Sequence, residues 1–234
     1  MKRPIALLAG CLATVSIGLA QAEESAKPTF RPAYASSVKN VTADTLADEE
    51  YQVAFALEFQ SAIDQLEVAK IRAEQAKTEL DRNEVLVKGP NLSKRDYVIS
   101  KDKYECAKFE VARLTAQVDF TKAMATVYRL RTTRAPEPTR DDLRAEITMR
   151  LEASQAKLAS LNAALGSAQV LNSSLSAKAT NGKKLLDLKT ASTAEYELRL
   201  FNARASAESV EGLKAQIKII EGTIESLQDS LKRI

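Results

Sequence analysis

Small and apolar residues recur at alternating gaps of three and four along most of this chain. From Phe59 the run continues through Ala62, Leu66, Ala69, Ala73, Ala76 and Leu80. That is the heptad seam of a helix packed lengthwise on another, and its alanines let two backbones approach closely. After an interruption the spacing resumes at Tyr97, Ser100, Tyr104, Ala107, Val111, Leu114, Val118, Thr121 and Ala125. A third run holds Leu151, Ser154, Leu158, Leu161, Leu165, Ala168 and Leu175. The fourth and most regular holds Val210, Leu213, Ile217, Ile220, Ile224, Leu227, Leu231 and Ile234.

The interruptions carry the chemistry of helix ends. Lys88-Gly89-Pro90-Asn91 breaks the first periodicity, and Ser93 with Asp96 restarts it as a capping box. Ala135-Pro136-Glu137-Pro138 is the next break, and Thr139 then caps a third helix with Asp142 at its third position. Ser192 with Glu195 forms another capping box. The turn before it stays open between two readings: a kink near Lys189-Thr190-Ala191, or a break at Asn181-Gly182. Past residue 43, prolines occur only at 90, 136 and 138, all at breaks, as the missing amide requires. Two helices of about 40 residues, each about 60 Å long, joined by a short turn make an αα-hairpin.

Composition supports this. The 234 residues are 45% hydrophobic and 28% charged but only 5% aromatic, with no Trp and no His. Abundant Ala, Leu, Glu, Lys and Arg fit long helices better than a globular α/β enzyme. The missing histidine removes the commonest metal ligand and the usual general base near neutral pH. No phosphate loop, metal-spaced cluster or nucleophile motif is present. Paired carboxylates such as Glu49-Glu50 and Asp141-Asp142 sit at helix starts, where the macrodipole accounts for them. We therefore expect no enzyme, no cofactor and no metal.

Residues 1–22 read as a cleaved secretory leader. Lys2 and Arg3 precede the apolar stretch from Ile5 to Leu19, and Ala20-Gln21-Ala22 has the small-x-small form of a cleavage site. The stretch is short for a transmembrane helix. Leu8-Ala9-Gly10-Cys11 offers a minor alternative, lipidation at Cys11. Cleavage after Ala22 removes Lys2 and Arg3 from the 34 basic residues and leaves 32 against 31 acidic ones. Near-neutral charge, interleaved along the helices, argues against nucleic acid as a partner. It also leaves Cys106 as the single cysteine of the mature chain, read as a small apolar residue beside the seam.

The two halves resemble each other at an offset of 99. Phe59, Ala62, Leu66 and Ala69 fall on Leu158, Leu161, Leu165 and Ala168. Leu86, Ser93, Asp96 and Tyr97 fall on Leu185, Ser192, Glu195 and Tyr196. An offset that is not a multiple of seven is not produced by shared heptads alone. The organisation expected is a leader (1–22), a flexible segment (23–43), a helical hairpin (44–134), a Pro-rich linker (135–138) and a second hairpin (139–234). The fold class is all-α: two long antiparallel coiled-coil hairpins in tandem, with an internal repeat.

Arg82, Leu86 and Ser93 flank the first turn, Leu86 four residues and Ser93 eleven residues after Arg82. This spacing resembles the hairpin tip of periplasmic adaptor proteins, the membrane fusion proteins of efflux pumps and type I secretion systems. Leu46-Ala47-Asp48-Glu49-Glu50-Tyr51 and Thr133-Arg134-Ala135-Pro136 resemble the segments on either side of the adaptor hairpin. The likeness runs from about Leu46 to Pro136; strand patterns for the lipoyl and β-barrel domains of adaptors are not recognisable.

The resemblance implies a periplasmic, non-enzymatic component of an export assembly, docking an outer-membrane channel through Arg82, Leu86 and Ser93. An inner-membrane transporter and further copies of the chain stand as additional partners. Each tip residue also has a plainer reading: Arg82 as a solvated charge, Leu86 as the end of the seam, Ser93 as a helix cap. The alternatives to an adaptor are a periplasmic holdase chaperone and a structural coiled coil of the envelope.

Overall fold

The computed structural model describes residues 43–89, 93–135 and 137–234. The leader with Cys11, most of the expected flexible segment, Pro90-Asn91 of the first turn and Pro136 of the linker lie outside the described residues. Four long helices follow one another: α1 (Ala43–Val87), α2 (Lys94–Thr133), α3 (Arg140–Asp187) and α4 (Thr193–Arg233). No strand occurs among the described residues. Each helix packs on its neighbours in sequence, giving the order α1, α2, α3, α4. The two hairpins are thus not independent: α2 and α3 join them along their length.

The expected seams face inward. On α1, Ala62 and Ala69 are buried and Phe59, Leu66, Ala73, Ala76 and Leu80 are half-buried. On α2, Ser100, Leu114 and Thr121 are buried, and Cys106 is half-buried beside them. The buried hydroxyls are satisfied within their own helix: Ser100 donates to the Tyr97 carbonyl at 2.8 Å and Thr121 to the Gln117 carbonyl at 3.0 Å. A second set on α2 (Ala116, Ala123, Val127) is also buried, as are Ala153, Ser160 and Ala163 on α3. Small residues on both sides bring the α2 and α3 backbones close. Gly166 shows how close: a Cβ there would stand 2.3 Å from the Phe109 ring.

The bulkiest contacts gather near the α2–α3 connection, here called the base. Tyr51 and Phe55 of α1 stack on Tyr128 of α2, with centroids 5.2 and 5.5 Å apart. Lys157 of α3 lies over Phe120 of α2. Beneath them Glu146, with a side chain only 11% exposed, meets three guanidinium groups. Arg131 Nε donates to it at 2.8 Å, Arg134 Nη1 lies at 3.1 Å and Arg150 Nη2 at 2.7 Å. Arg131 also reaches Asp48 of α1 at 3.5 Å, so the cluster spans three helices. Burial works hardest on Arg131 and disfavours its charge, but Glu146 and Asp48 together outweigh this and hold its pKa above the ordinary value.

The helix starts form as expected, with different partners. Thr139 and Asp142 make the full capping box: each side chain accepts from the other residue's amide, at 3.2 and 2.9 Å. At Ser93 the hydroxyl accepts from the Asp96 amide at 3.1 Å, while the Asp96 carboxylate takes the Ser93 hydroxyl rather than its amide. Ser192 likewise caps α4, but Glu195 turns to Arg199. α3 runs unbroken through Asn181-Gly182 to Asp187, which settles the second turn at Leu188 to Ser192. Gly182 is there for room: a Cβ would stand 2.9 Å from Arg199 Cδ.

The base cluster and the Phe109 contact give two expected outcomes. Glu146→Ala leaves three arginines facing one another without their common anion. We expect about 2 kcal/mol lost in urea unfolding, below the usual cost of breaking a buried pair because the guanidinium groups are partly hydrated. Gly166→Ala should cost about 1–3 kcal/mol by forcing the Phe109 ring aside. In a Phe109→Ala background the same change should be near neutral, which a double-mutant cycle on unfolding midpoints will read.

Candidate functional site: the paired hairpin tips

Three cross-helix contacts give the α2–α3 register: Arg131 with Glu146, Phe120 with Lys157 and Phe109 with Gly166. From the last of these α2 continues about 22 Å to Lys94 and α3 about 32 Å to Asp187. Both turns therefore point away from the base, and the second reaches about two turns of helix further. The two hairpins lie side by side, with both tips at one end.

The first tip spreads the three sequence-selected residues over two helices. Arg82 is exposed on α1 and makes no ion pair or hydrogen bond with a described residue. Leu86, one turn later, is half-buried, and its carbonyl accepts the Gly89 amide at 3.2 Å. Ser93 is exposed across the turn and is occupied as the cap of α2, donating to Asp96 Oδ2 at 2.7 Å. Basic side chains surround them: Lys94 and Arg95 are exposed, and Lys88 lies 3.7 Å from Glu84. The Ser93 hydroxyl thus has one spare lone pair, the Arg82 guanidinium is unengaged by described groups, and Leu86 shows part of its surface.

The second tip is built differently. Leu188 is 71% exposed, and Lys189 takes the left-handed conformation with φ of 57°. The Leu185 carbonyl closes the turn by accepting the amides of Thr190 at 2.9 Å and Ala191 at 3.2 Å and the Thr190 hydroxyl at 3.0 Å. This is the hydrogen-bonding logic of a helix C-terminus that usually uses glycine. Asn181 stands where Arg82 stands in the first hairpin, and the second tip carries the exposed Lys183, Lys184 and Lys189 instead.

Sequence reasoning missed the apolar side chains around both tips. Val85 and Val98 beside the first, and Leu188, Leu198 and Phe201 at or near the second, are all more than half exposed. The signal was available: none belongs to its helix's seam. No group of three metal-capable side chains stands together among the described residues, and no described helix is long and apolar enough to cross a membrane.

Ser93→Ala should cost about 1 kcal/mol through loss of the cap. Amide hydrogen exchange should accelerate at the start of α2 and stay unchanged at the base. Comparison of the chain with protein-family models, with curated proteins and with solved structures finds no match in any of the three.

Proposed function

We propose that this protein is a non-enzymatic, periplasmic, adaptor-like coiled-coil component of an efflux or type I secretion assembly. Its first hairpin tip docks on the helical end of an outer-membrane channel. The observation that carries the reading is Arg82, an exposed cation near the tip that no described residue engages, set with Leu86 and Ser93 at the adaptor spacing. Arg82 supplies a forked donor for carbonyl or carboxylate oxygens on the channel. Leu86 supplies apolar contact, and the Ser93 hydroxyl accepts one more hydrogen bond. Lys88, Lys94 and Arg95 steer the tip toward an acidic channel mouth.

A second reading, a periplasmic holdase chaperone, draws on Val85, Val98, Leu188, Leu198 and Phe201. Exposed apolar side chains near the ends of long arms suit unfolded clients.

Photo-crosslinking in cells from a reactive residue at position 86, with mass spectrometry of the product, separates the two. The docking reading expects one outer-membrane channel in the product. Arg82→Asp should lower its yield at least about tenfold, equivalent to about 1.4 kcal/mol, with helicity unchanged. A spread of unfolded outer-membrane proteins would make the protein a chaperone. A channel product insensitive to Arg82→Asp would remove Arg82 from the interface.

A further inference from the structure

α2 and α4 both pack on α3 without packing on each other. Near the base, α3 presents only small side chains between them, Ala153 and Ser154. Large neighbours beside small ones leave a groove of about 370 Å³, open to solvent along one side. That volume falls at the low end of small-molecule sites. Phe120, Met124 and Val127 of α2 form one wall, Leu227 of α4 the other, and Ala153 the floor.

Two guanidinium groups, those of Arg131 and Arg150, stand at the base end of the groove, both half-buried. No acidic side chain lines it among the described residues. The two arginines draw on the same atom: Arg131 Nε and Arg150 Nη2 lie 2.8 and 2.7 Å from Glu146 Oε1. The other oxygen of Glu146 serves Arg134. Two cations are thus held side by side with one carboxylate oxygen between them, and they repel each other.

Their donors are also underused. A guanidinium carries five N–H groups. Arg131 spends Nε on Glu146 and turns Nη1 toward Asp48 at 3.5 Å, long for a hydrogen bond. Arg131 Nη2 and Arg150 Nε and Nη1 meet no acceptor among the described residues. A second carboxylate suits this arrangement. Its two oxygens match forked donors, and its charge offsets the repulsion between the arginines.

The apolar walls set the rest of the ligand. From Phe120 to Arg131 α2 advances about 16 Å. A carboxylate at the arginines with an extended tail of about ten carbons, at about 1.5 Å per bond, covers that length. The tail leaves water for Met124, Val127, Leu227 and Phe120. Met124 adds a flexible thioether that adjusts to the chain.

We propose that this groove binds a slender amphiphile with a single carboxylate head, a medium-chain fatty acid, its head on Arg131 and Arg150 and its tail between α2 and α4. The proposal does not depend on what the tips bind.

Nuclear magnetic resonance of the full chain labelled with carbon-13 at its methionine methyls tests it, with decanoate below its micelle concentration as the probe. Met124 lines the groove and Met149 of α3 does not. Decanoate should shift the Met124 methyl to saturation and leave Met149 nearly still. Decyltrimethylammonium, the same chain with a cationic head, should do neither. Arg150→Gln, which leaves Glu146 with two arginines, should raise the dissociation constant for decanoate at least about tenfold with unchanged circular dichroism. Thr223→Phe should abolish binding by filling the groove; Thr223 is exposed and bonds only within its own helix. An unmoved Met124, an equal response to decyltrimethylammonium, or an affinity indifferent to Arg150→Gln in a folded chain would each overturn the proposal.

Discussion

The contact between α2 and α3 governs the rest of the structure. Long helices in water depend on tertiary packing of an apolar face, and here α1 and α4 each have one neighbour while α2 and α3 have two. A helix in such an inner place buries residues on two faces. α2 does so with Leu114 and Thr121 among the residues of its first seam and Ala116, Ala123 and Val127 on another. That second set, together with the Arg131–Glu146 pair and the Phe109–Gly166 contact, sets one hairpin beside the other.

Packing is uneven along the array. The base holds the stacked tyrosines and phenylalanine and the arginines around Glu146. Toward the tips the buried residues are small: Ala69, Ser100, Ala179 and Gly182. Small residues bring backbones together but remove little apolar area from water, so the anchored end is the base and the adaptable end is the tips. Arg82 and Ser93, one from each helix of the first hairpin, keep their relation only while the cap of α2 holds.

Much of this was legible in the sequence, for physical reasons that can be named. Heptad seams, capping residues and prolines are local signals, and Ser93, Thr139 and Ser192 all cap the helices expected of them. The capping details were less legible, because Glu195 had a second suitor in Arg199, one helical turn away. Gly182 invited a break and instead supplies clearance for that same arginine. The second face of α2 went unread because alanines are weak markers of direction: Ala116 and Ala123 signal burial only once α3 lies against them. The tip triad was legible as a resemblance, and its residues are now placed: an exposed cation that no described residue engages, a half-buried leucine and an occupied cap. The docking role proposed for them depends on the chemistry of a partner.

All of this depends on the two hairpins lying side by side, with their tips at one end. Double electron–electron resonance between spin labels at Lys88→Cys and Lys189→Cys, with Cys106→Ser, measures it directly. Labelled chain is diluted about tenfold with unlabelled chain so that only distances within one molecule are read. Helices packed about 10 Å apart place the labels about 20–30 Å from each other. A distance beyond about 60 Å, the length of one arm, would mean hairpins arranged end to end and would rule out the side-by-side array.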